Sequence, residues 1–238
     1  MISGLYTAAS GMIAQQAKQD ILANNLANAD TPGFKADLLT IDPSADLPNT
    51  LSDSDSPAAI VRPGRLGIDA SSGILKPTGN PLNLAIVGRG LFVVETPQGE
   101  RFTRAGSFTR DSEGFLATSE GFRVLGSGGP IQVPDRGLQV DGRGGIANVG
   151  SLRIVAGPDE PGLVKVGGNL YAVPNGSPPP QEVPEANIVQ GHLESSNVNV
   201  VQSMVEMLAS LRTYEAYQRT IQALDQTTGQ AANELGRA

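Results

Sequence analysis

Two hydrophobic rhythms share this chain. At both ends apolar residues recur at three- and four-residue steps, and between the ends they alternate in short runs broken by turn residues. Near the N-terminus Ile2, Leu5, Ala9, Met12 and Ile13 trace one stripe and Leu22 and Leu26 continue a neighbouring one. This predicts a helix across residues 1–31, stopped by Thr31-Pro32-Gly33. Alanines at 8, 9, 14, 17, 23 and 27 favour that helix and let a second one approach closely. Just before the stop stand Asn24, Asn25 and Asn28. Asparagine amides compete with helical backbone bonds, so this density implies side chains bonding across a packed surface.

The C-terminal pattern is longer. Asn199 followed by Gln202 resembles a capping box with asparagine as N-cap. From there Val200, Met204, Met207, Leu211, Tyr214, Gln218 and Ile221 alternate steps of four and three, and Tyr217, Ile221, Leu224, Thr228, Ala231 and Leu235 carry an offset series. A heptad-like helix over 199–235 would extend about 55 Å. It cannot bury its stripe against itself, and the N-terminal helix is the obvious partner. The bland outcome is an intramolecular hairpin; the sharper one is a helical tier completed only by neighbouring subunits.

Between the helices the rhythm shortens. Residues 37–55 are aspartate-rich, with two prolines and no basic residue, which describes a connector. Strand candidates then follow at Leu82–Val87, Leu91–Glu95, Arg101–Arg104, Ile131–Val133, Leu138–Val140, Ile146–Val149, Leu152–Val155, Leu163–Val166 and Leu170–Val173. Ser112-Glu113-Gly114-Phe115 recurs as Ser119-Glu120-Gly121-Phe122, each copy reading as a hairpin turn that leads an aromatic into a core. The expected fold class is α+β: long paired N- and C-terminal helices, coiled-coil-like, flanking a central all-β domain. The expected boundaries are an N-terminal helical segment at 1–36, an extended linker at 37–75, a β-rich domain at 76–190 and a C-terminal helical segment at 191–238.

Composition sharpens this division. All 17 prolines lie between Pro32 and Pro184, and 23 of 29 glycines lie between Gly64 and Gly176, so the two ends alone are helix-compatible. The net charge of −7 argues against non-specific binding to nucleic acid or anionic lipid. No apolar run approaches the roughly 18 residues that span a bilayer, so no direct membrane insertion is expected. The first charged side chain is Lys18, so the chain lacks the basic start of a cleaved leader and is expected to leave the cell, if it does, without one.

The catalytic templates fail one by one. With no cysteine and one histidine, His192, thiolate and histidine-rich metal sites are excluded. No phosphate-binding Gly-x-x-x-x-Gly-Lys loop occurs. Glu113 and Glu120 could be imagined as a glycosidase pair, but each sits in a Ser-Glu-Gly turn where a solvated carboxylate is expected. Asn175-Gly176-Ser177 matches a glycosylation acceptor and reads better as a turn. No catalytic, cofactor-binding or metal-ligating residue is expected, and no cofactor. Two other classes stay open at this point: a cell-wall hydrolase, which would need an acid–base pair that is not visible, and a soluble binding module.

Three separated motifs then carry a resemblance. Leu5-Tyr6-Thr7-Ala8-Ala9-Ser10-Gly11-Met12 leading to Ala23-Asn24-Asn25-Leu26-Ala27-Asn28 and on through Thr31-Pro32-Gly33-Phe34-Lys35 resembles the rod signature of bacterial flagellar axial proteins. Leu193-Glu194-Ser195-Ser196-Asn197-Val198-Asn199, continuing through Met204 to Tyr214-Glu215, resembles that family's closing segment. Gly90-Leu91-Phe92 through Thr103-Arg104-Ala105-Gly106-Ser107-Phe108 is similar to the β-domain of its rod and hook members.

The resemblance implies a structural subunit of the flagellar basal-body rod rather than an enzyme, with the proximal rod favoured by the short stretch after the first signature and the distal rod as the alternative. It implies assembly with copies of itself and with other rod and hook axial proteins, and export through the flagellar type III apparatus. The subunit-interface residues it suggests are Leu5, Met12, Met204, Leu208, Leu211, Tyr214 and Ile221 as buried apolar contacts. Asn24, Asn25 and Asn28 would fix register through side-chain hydrogen bonds, and Asn197 and Asn199 complete the expected interface set.

Overall fold

A computed structural model describes residues 2–42, 62–134, 137–146, 149–157, 163–174, 176–183 and 186–235. Most of the aspartate-rich connector, and Asn175 of the expected turn, lie outside the described residues. Helix α1 (Ile2–Ala27) is followed by strands β1 (Asp37–Asp42), β2 (Arg62–Ile68), β3 (Leu75–Pro77), β4 (Leu84–Val87), β5 (Leu91–Thr96), β6 (Gly99–Thr103), β7 (Phe108–Arg110), β8 (Leu116–Thr118) and β9 (Arg123–Gly126). Then come β10 (Gly129–Pro130), β11 (Gly145–Ile146), β12 (Gly150–Ser151), β13 (Ile154–Val155), β14 (Val164–Gly167), β15 (Leu170–Ala172), β16 (Asn187–Gln190) and β17 (His192–Glu194), before helix α2 (Val200–Leu235).

Two compact units divide the chain. A helical unit is drawn from Met1–Ala27, Asp37–Gly67 and Asn199–Ala238; a β-rich unit is drawn from Asn28–Ala36 and Ile68–Val198. In the helical unit α1 and α2 pair antiparallel. Gly4 lies opposite Leu224, Gly11 opposite Tyr217, and the Ser210 hydroxyl donates to the Gln15 side chain at 2.8 Å. The inward face of α1 is made of small residues, with Ala8 and Ala14 buried. At Gly11 even a Cβ would stand 2.6 Å from Cζ of Tyr217, so the absence of a side chain there admits the ring.

The inner rows of α2 are Ser203, Met207, Ser210, Tyr214, Tyr217, Ile221 and Leu224, with Glu206 alongside. Its N-terminus is capped as the sequence suggests, in one half only: the Gln202 amide donates to Asn199 Oδ1 at 3.1 Å, whereas the Gln202 side chain bonds Glu206 instead of returning to the cap.

Nine strands form the main sheet of the β-rich unit, in the order β14-β15-β6-β5-β9-β8-β7, with β10 beside β9 and β13 beside β5. Strand β5 is its centre. One edge pairs with β6 from Phe92↔Thr103 to Thr96↔Gly99, and β9 and β13 share the other. Both faces of β5 are buried, so alternate residues enter different cores. Phe92 and Val94 join Leu84, Phe108, Leu116 and Val124, whereas Leu91 and Val93 join Phe102, Val155 and Tyr171. Phe92 and Phe108 meet edge to face with centroids 5.1 Å apart.

The duplicated tetrapeptide is a duplicated turn down to its hydrogen bonds. Asp111 N donates to Phe115 O, Gly114 N to Asp111 O and Phe115 N to Asp111 Oδ1; Thr118 N donates to Phe122 O, Gly121 N to Thr118 O and Phe122 N to Thr118 Oγ1. Only Phe122 packs on the core, since Phe115 lies under the Arg123 guanidinium at 4.5 Å.

The expected fold class needs correction. Strands are not confined to a central all-β domain: the β1–β2 pair, inside the stretch read as a linker, belongs to the helical unit, while Asn28–Ala36 belongs to the β-rich unit. Nor is the centre one module, because β3 pairs with β17, β4 with β16 and β11 with β12 in sheets of their own beside the nine-stranded one. The helices are likewise not a seam of matched apolar knobs, since small residues of α1 receive Tyr217. The physical reason is that two- and four-residue periods report local tendency alone. The partners of β3 and β4 arrive more than a hundred residues later, and a stripe of glycine and alanine carries little hydrophobic signal.

One close approach fixes the start of β4. A Cβ on Gly106 would stand 1.6 Å from the Leu84 carbonyl oxygen, and the Leu84 amide donates to Gly106 O at 3.0 Å. Gly106→Ala is expected to destabilise the chain by about 3 kcal/mol or more in denaturant titration. Gly121→Ala, where nothing lies within 4 Å of the added carbon and only a φ of 88° is strained, should cost about 1 kcal/mol.

Candidate functional site

Each unit presents one arrangement that its sequence motifs build. In the β-rich unit, the turn that follows α1 and the strand that precedes α2 come together through charge. Lys35, Arg104 and Glu194 are all at least 95% buried. Glu194 Oε1 accepts from Lys35 Nζ at 2.6 Å and from the Gly73 amide at 2.8 Å, and Oε2 accepts from Arg104 Nε at 2.5 Å. Arg104 spends its other donors on the carbonyls of Gly90, Ile86 and Gly88, and Lys35 reaches Ser71 O at 2.7 Å. One carboxylate is thereby shared by two cations, whose further hydrogen bonds all go to backbone carbonyls, the condition under which buried charges are tolerated.

Burial is the largest influence on both titrating groups. It lowers the Lys35 pKa below the usual lysine range, with Glu194 pulling the other way. Burial also pushes the Glu194 carboxyl up, but the Arg104 charge and the hydrogen bonds from Lys35, Arg104 and the Gly73 amide together outweigh it, so this carboxyl titrates below the usual carboxylate range.

Backbone bonds surround the ions. Gly33 N donates to Glu194 O at 2.7 Å, Ser195 N to Ile74 O at 2.9 Å and Asn197 N to Phe34 O. Gly33 adopts φ 69°, and a Cβ there would stand 2.5 Å from the Arg104 carbonyl, so only glycine passes. Lys165 crosses the Phe34 ring at 4.1 Å and donates to Lys35 O. Asn197 acts as a backbone substitute, its Oδ1 accepting from Ala36 N at 2.8 Å and its Nδ2 donating to Asp69 O at 2.9 Å and Ser71 Oγ at 3.0 Å.

The helical unit has a related device. Asn25, buried within α1, closes both bonds of a strand-like pair with Asp37, Oδ1 to the amide at 2.8 Å and Nδ2 to the carbonyl at 2.9 Å. This amide lays β1 against the helix. Asn24 faces outward, and Asn28 Oδ1 accepts from the Thr31 hydroxyl in the turn after α1. Among the apolar residues singled out from sequence, Leu5, Met204, Leu208 and Leu211 are exposed, Leu208 by 59%. Met12, Tyr214 and Ile221 are half-buried. Val201, Val205 and Ile13, which were not singled out, are exposed by 72%, 61% and 59%. Val201, Met204, Val205, Leu208 and Leu211 thus make one outward apolar row along the first three turns of α2.

Sequence reasoning assigned no role to Lys35, Arg104 or Glu194, although each sits inside a quoted motif. The available signal was a lone charge flanked by small or apolar neighbours, as in Phe34-Lys35-Ala36 and Arg104-Ala105-Gly106. His192 is structural: it pairs with Pro77 across β17 and β3, and its Nδ1 lies 3.0 Å from Gln190 O. Among the described residues no helix is long and apolar enough to cross a membrane.

Known proteins share this layout along the chain. Residues 5–35 match the family of flagella basal body rod proteins, residues 189–235 the C-terminal family of flagellar basal body rod FlgEFG proteins, and residues 85–152 the D1 domain of flagellar hook protein FlgE/F/G. The chain is 34% identical to flagellar basal-body rod protein FlgF of Caulobacter vibrioides, covering 100% of this chain and 99% of that one. It is 31% identical to FlgF of Escherichia coli over 99% of this chain and 98% of that one. It is 29% identical to flagellar basal-body rod protein FlgG of Bacillus subtilis over 98% and 99%.

Two outcomes test these arrangements. Glu194→Gln leaves two buried cations without a counter-charge and should lower stability at neutral pH by about 3–5 kcal/mol. Because the folded carboxyl titrates below its unfolded value, its contribution is complete above the unfolded pKa and is lost as pH falls through the folded one. Denaturant titrations from neutral into acid pH should therefore show the gap between wild type and variant narrowing. Asn25→Ala strands the amide and carbonyl of Asp37 and should cost about 1–3 kcal/mol in thermal or denaturant unfolding followed by circular dichroism.

Proposed function

Because the chain belongs to the family of flagellar basal-body rod proteins, we propose that it is a structural subunit of the proximal rod that joins its neighbours through the outward face of its paired helices. The observation that carries this reading is the apolar row at Val201, Met204, Val205, Leu208 and Leu211, with Leu5, Tyr6 and Ile13 exposed on α1. Water-facing apolar area on this scale marks an association surface. Burying a large side chain contributes about 1.5–3 kcal/mol. Ordering two long helices consumes a large part of the total, so joining is cooperative and templated by subunits already in place.

The short aspartate-rich stretch after the first motif favours the proximal position. Alignment length favours neither position, since FlgF of Escherichia coli aligns over 261 positions and FlgG of Bacillus subtilis over 263. A distal-rod subunit is the second reading, favoured by FlgG relatives at 32% identity. Partners on this reading are copies of the chain, other rod and hook axial proteins, and the flagellar type III export apparatus. The family's role is structural, and no enzymatic step is proposed.

In motile cells, Met204→Glu combined with Leu208→Glu should abolish swimming and rod completion while the purified chain keeps its wild-type circular dichroism. Normal motility in that strain would remove the assigned surface. Basal bodies from a deletion strain separate the two positions: rods missing from their base support the proximal reading, and a short stub of finished rod supports the distal one.

A further inference from the structure

We propose that the Lys35–Glu194–Arg104 cluster is an all-or-none latch, which docks residues 33–36 and 192–197 together onto a sheet that is already formed without them. This goes beyond the rod reading and does not depend on it, since every group involved belongs to the β-rich unit.

Three observations lead there. First, neither segment contributes to the two apolar cores, whose members run from Ile68 to Ile188. Apart from buried Phe34 under Lys165, what holds the segments is polar: the Gly33 amide on Glu194 O, the Ala36 amide on Asn197 Oδ1, Asn169 Nδ2 on Pro32 O, and the pairing of β17 with β3. Second, the counter-charge comes from far along the chain. Glu194 is 159 positions from Lys35 and 90 from Arg104, so local folding cannot supply it. Third, half-closed states are penalised. If residues 33–36 docked alone, Lys35 would enter its buried site with no carboxylate; if residues 192–197 docked alone, the buried Glu194 carboxylate would lack Lys35, its backbone oxygen would lack the Gly33 amide and Asn197 Oδ1 would lack the Ala36 amide.

Opening the latch returns Lys35 and Glu194 to water and leaves Arg104 on its three carbonyls at the β4–β5 turn. Strands β5, β6 and β9 keep all of their own ladder bonds in that state. The latch therefore switches the segment after α1 and the segment before α2 between held and free while the sheet persists.

Native-state hydrogen exchange on the full chain reads this directly. The amides of Gly33, Ala36, Gly73, Ser195 and Asn197 should share a single opening equilibrium in the wild type, above that of Val93, Val94 and Phe102. In Glu194→Gln all five should lose protection together, by at least about a hundredfold, and the three sheet amides, which exchange only from states with the latch already open, should fall by a similar factor and remain the slower set. Lys35→Met, which keeps the Glu194–Arg104 pair, and Asn197→Ala, which touches no charge, should each speed the same five amides in concert. Sheet amides that share the opening free energy and denaturant dependence of these five in the wild type would make the cluster part of the global core and overturn the latch. Loss at Ser195 and Gly73 with Gly33 and Ala36 unchanged would show two independent segments and overturn it too. Failure of Lys35→Met to fold would do the same, since the sheet would then not stand without the cluster.

Discussion

A single carboxylate has to serve two cations out of reach of water, and much of the β-rich unit is arranged around that requirement. Glu194 takes Lys35 on one oxygen and Arg104 on the other. Arginine suits its position because five rigid donors reach three carbonyls and a carboxylate at once; lysine there would leave the turn between β4 and β5 unfilled. Gly33 is constrained by the same spot, since its backbone runs against the Arg104 carbonyl with no space for a side chain. A buried ionic cluster adds little net stability over a well-packed apolar one, and its value lies in specifying which distant segments meet.

Asparagine does comparable work by other means. Asn25 and Asn197 each present a carbonyl and an amide to backbone groups of a chain running past them, imitating a strand where no strand is present. The density of asparagines before the first stop was therefore a meaningful signal, and the inference that their amides bond across packed surfaces was sound for Asn25. Its partner, Asp37, lies only 12 residues away.

Legibility followed the range of the interaction. Both helices, the Asn199 cap and the duplicated turns could be read from sequence because each is decided within four or five residues. The strand at Leu91–Thr96 was visible as a continuous apolar run, as expected for a strand covered on both faces. The pairing of β3 with β17 was not visible, because Leu75-Lys76-Pro77 and His192-Leu193-Glu194 carry no mark of each other. The inward rows of α2 were displaced by a residue for a different reason. Ser203 and Ser210 score as polar and Met204 and Leu208 as apolar, yet the serines face α1 and the larger residues face out. A helix that must satisfy both an internal partner and an external one shows its stronger hydrophobic signal on the external side.

The outward row on α2 sits on a polypeptide whose formal charge is −7. Two free copies consequently repel at long distance and adhere at short distance. Dissolved electrolyte shrinks the first effect, to a range of about 8 Å at physiological ionic strength, and leaves the second intact. Salinity thus becomes a throttle on encounter: dilute media hold the copies apart as a colloid, and briny media let them collide and stick.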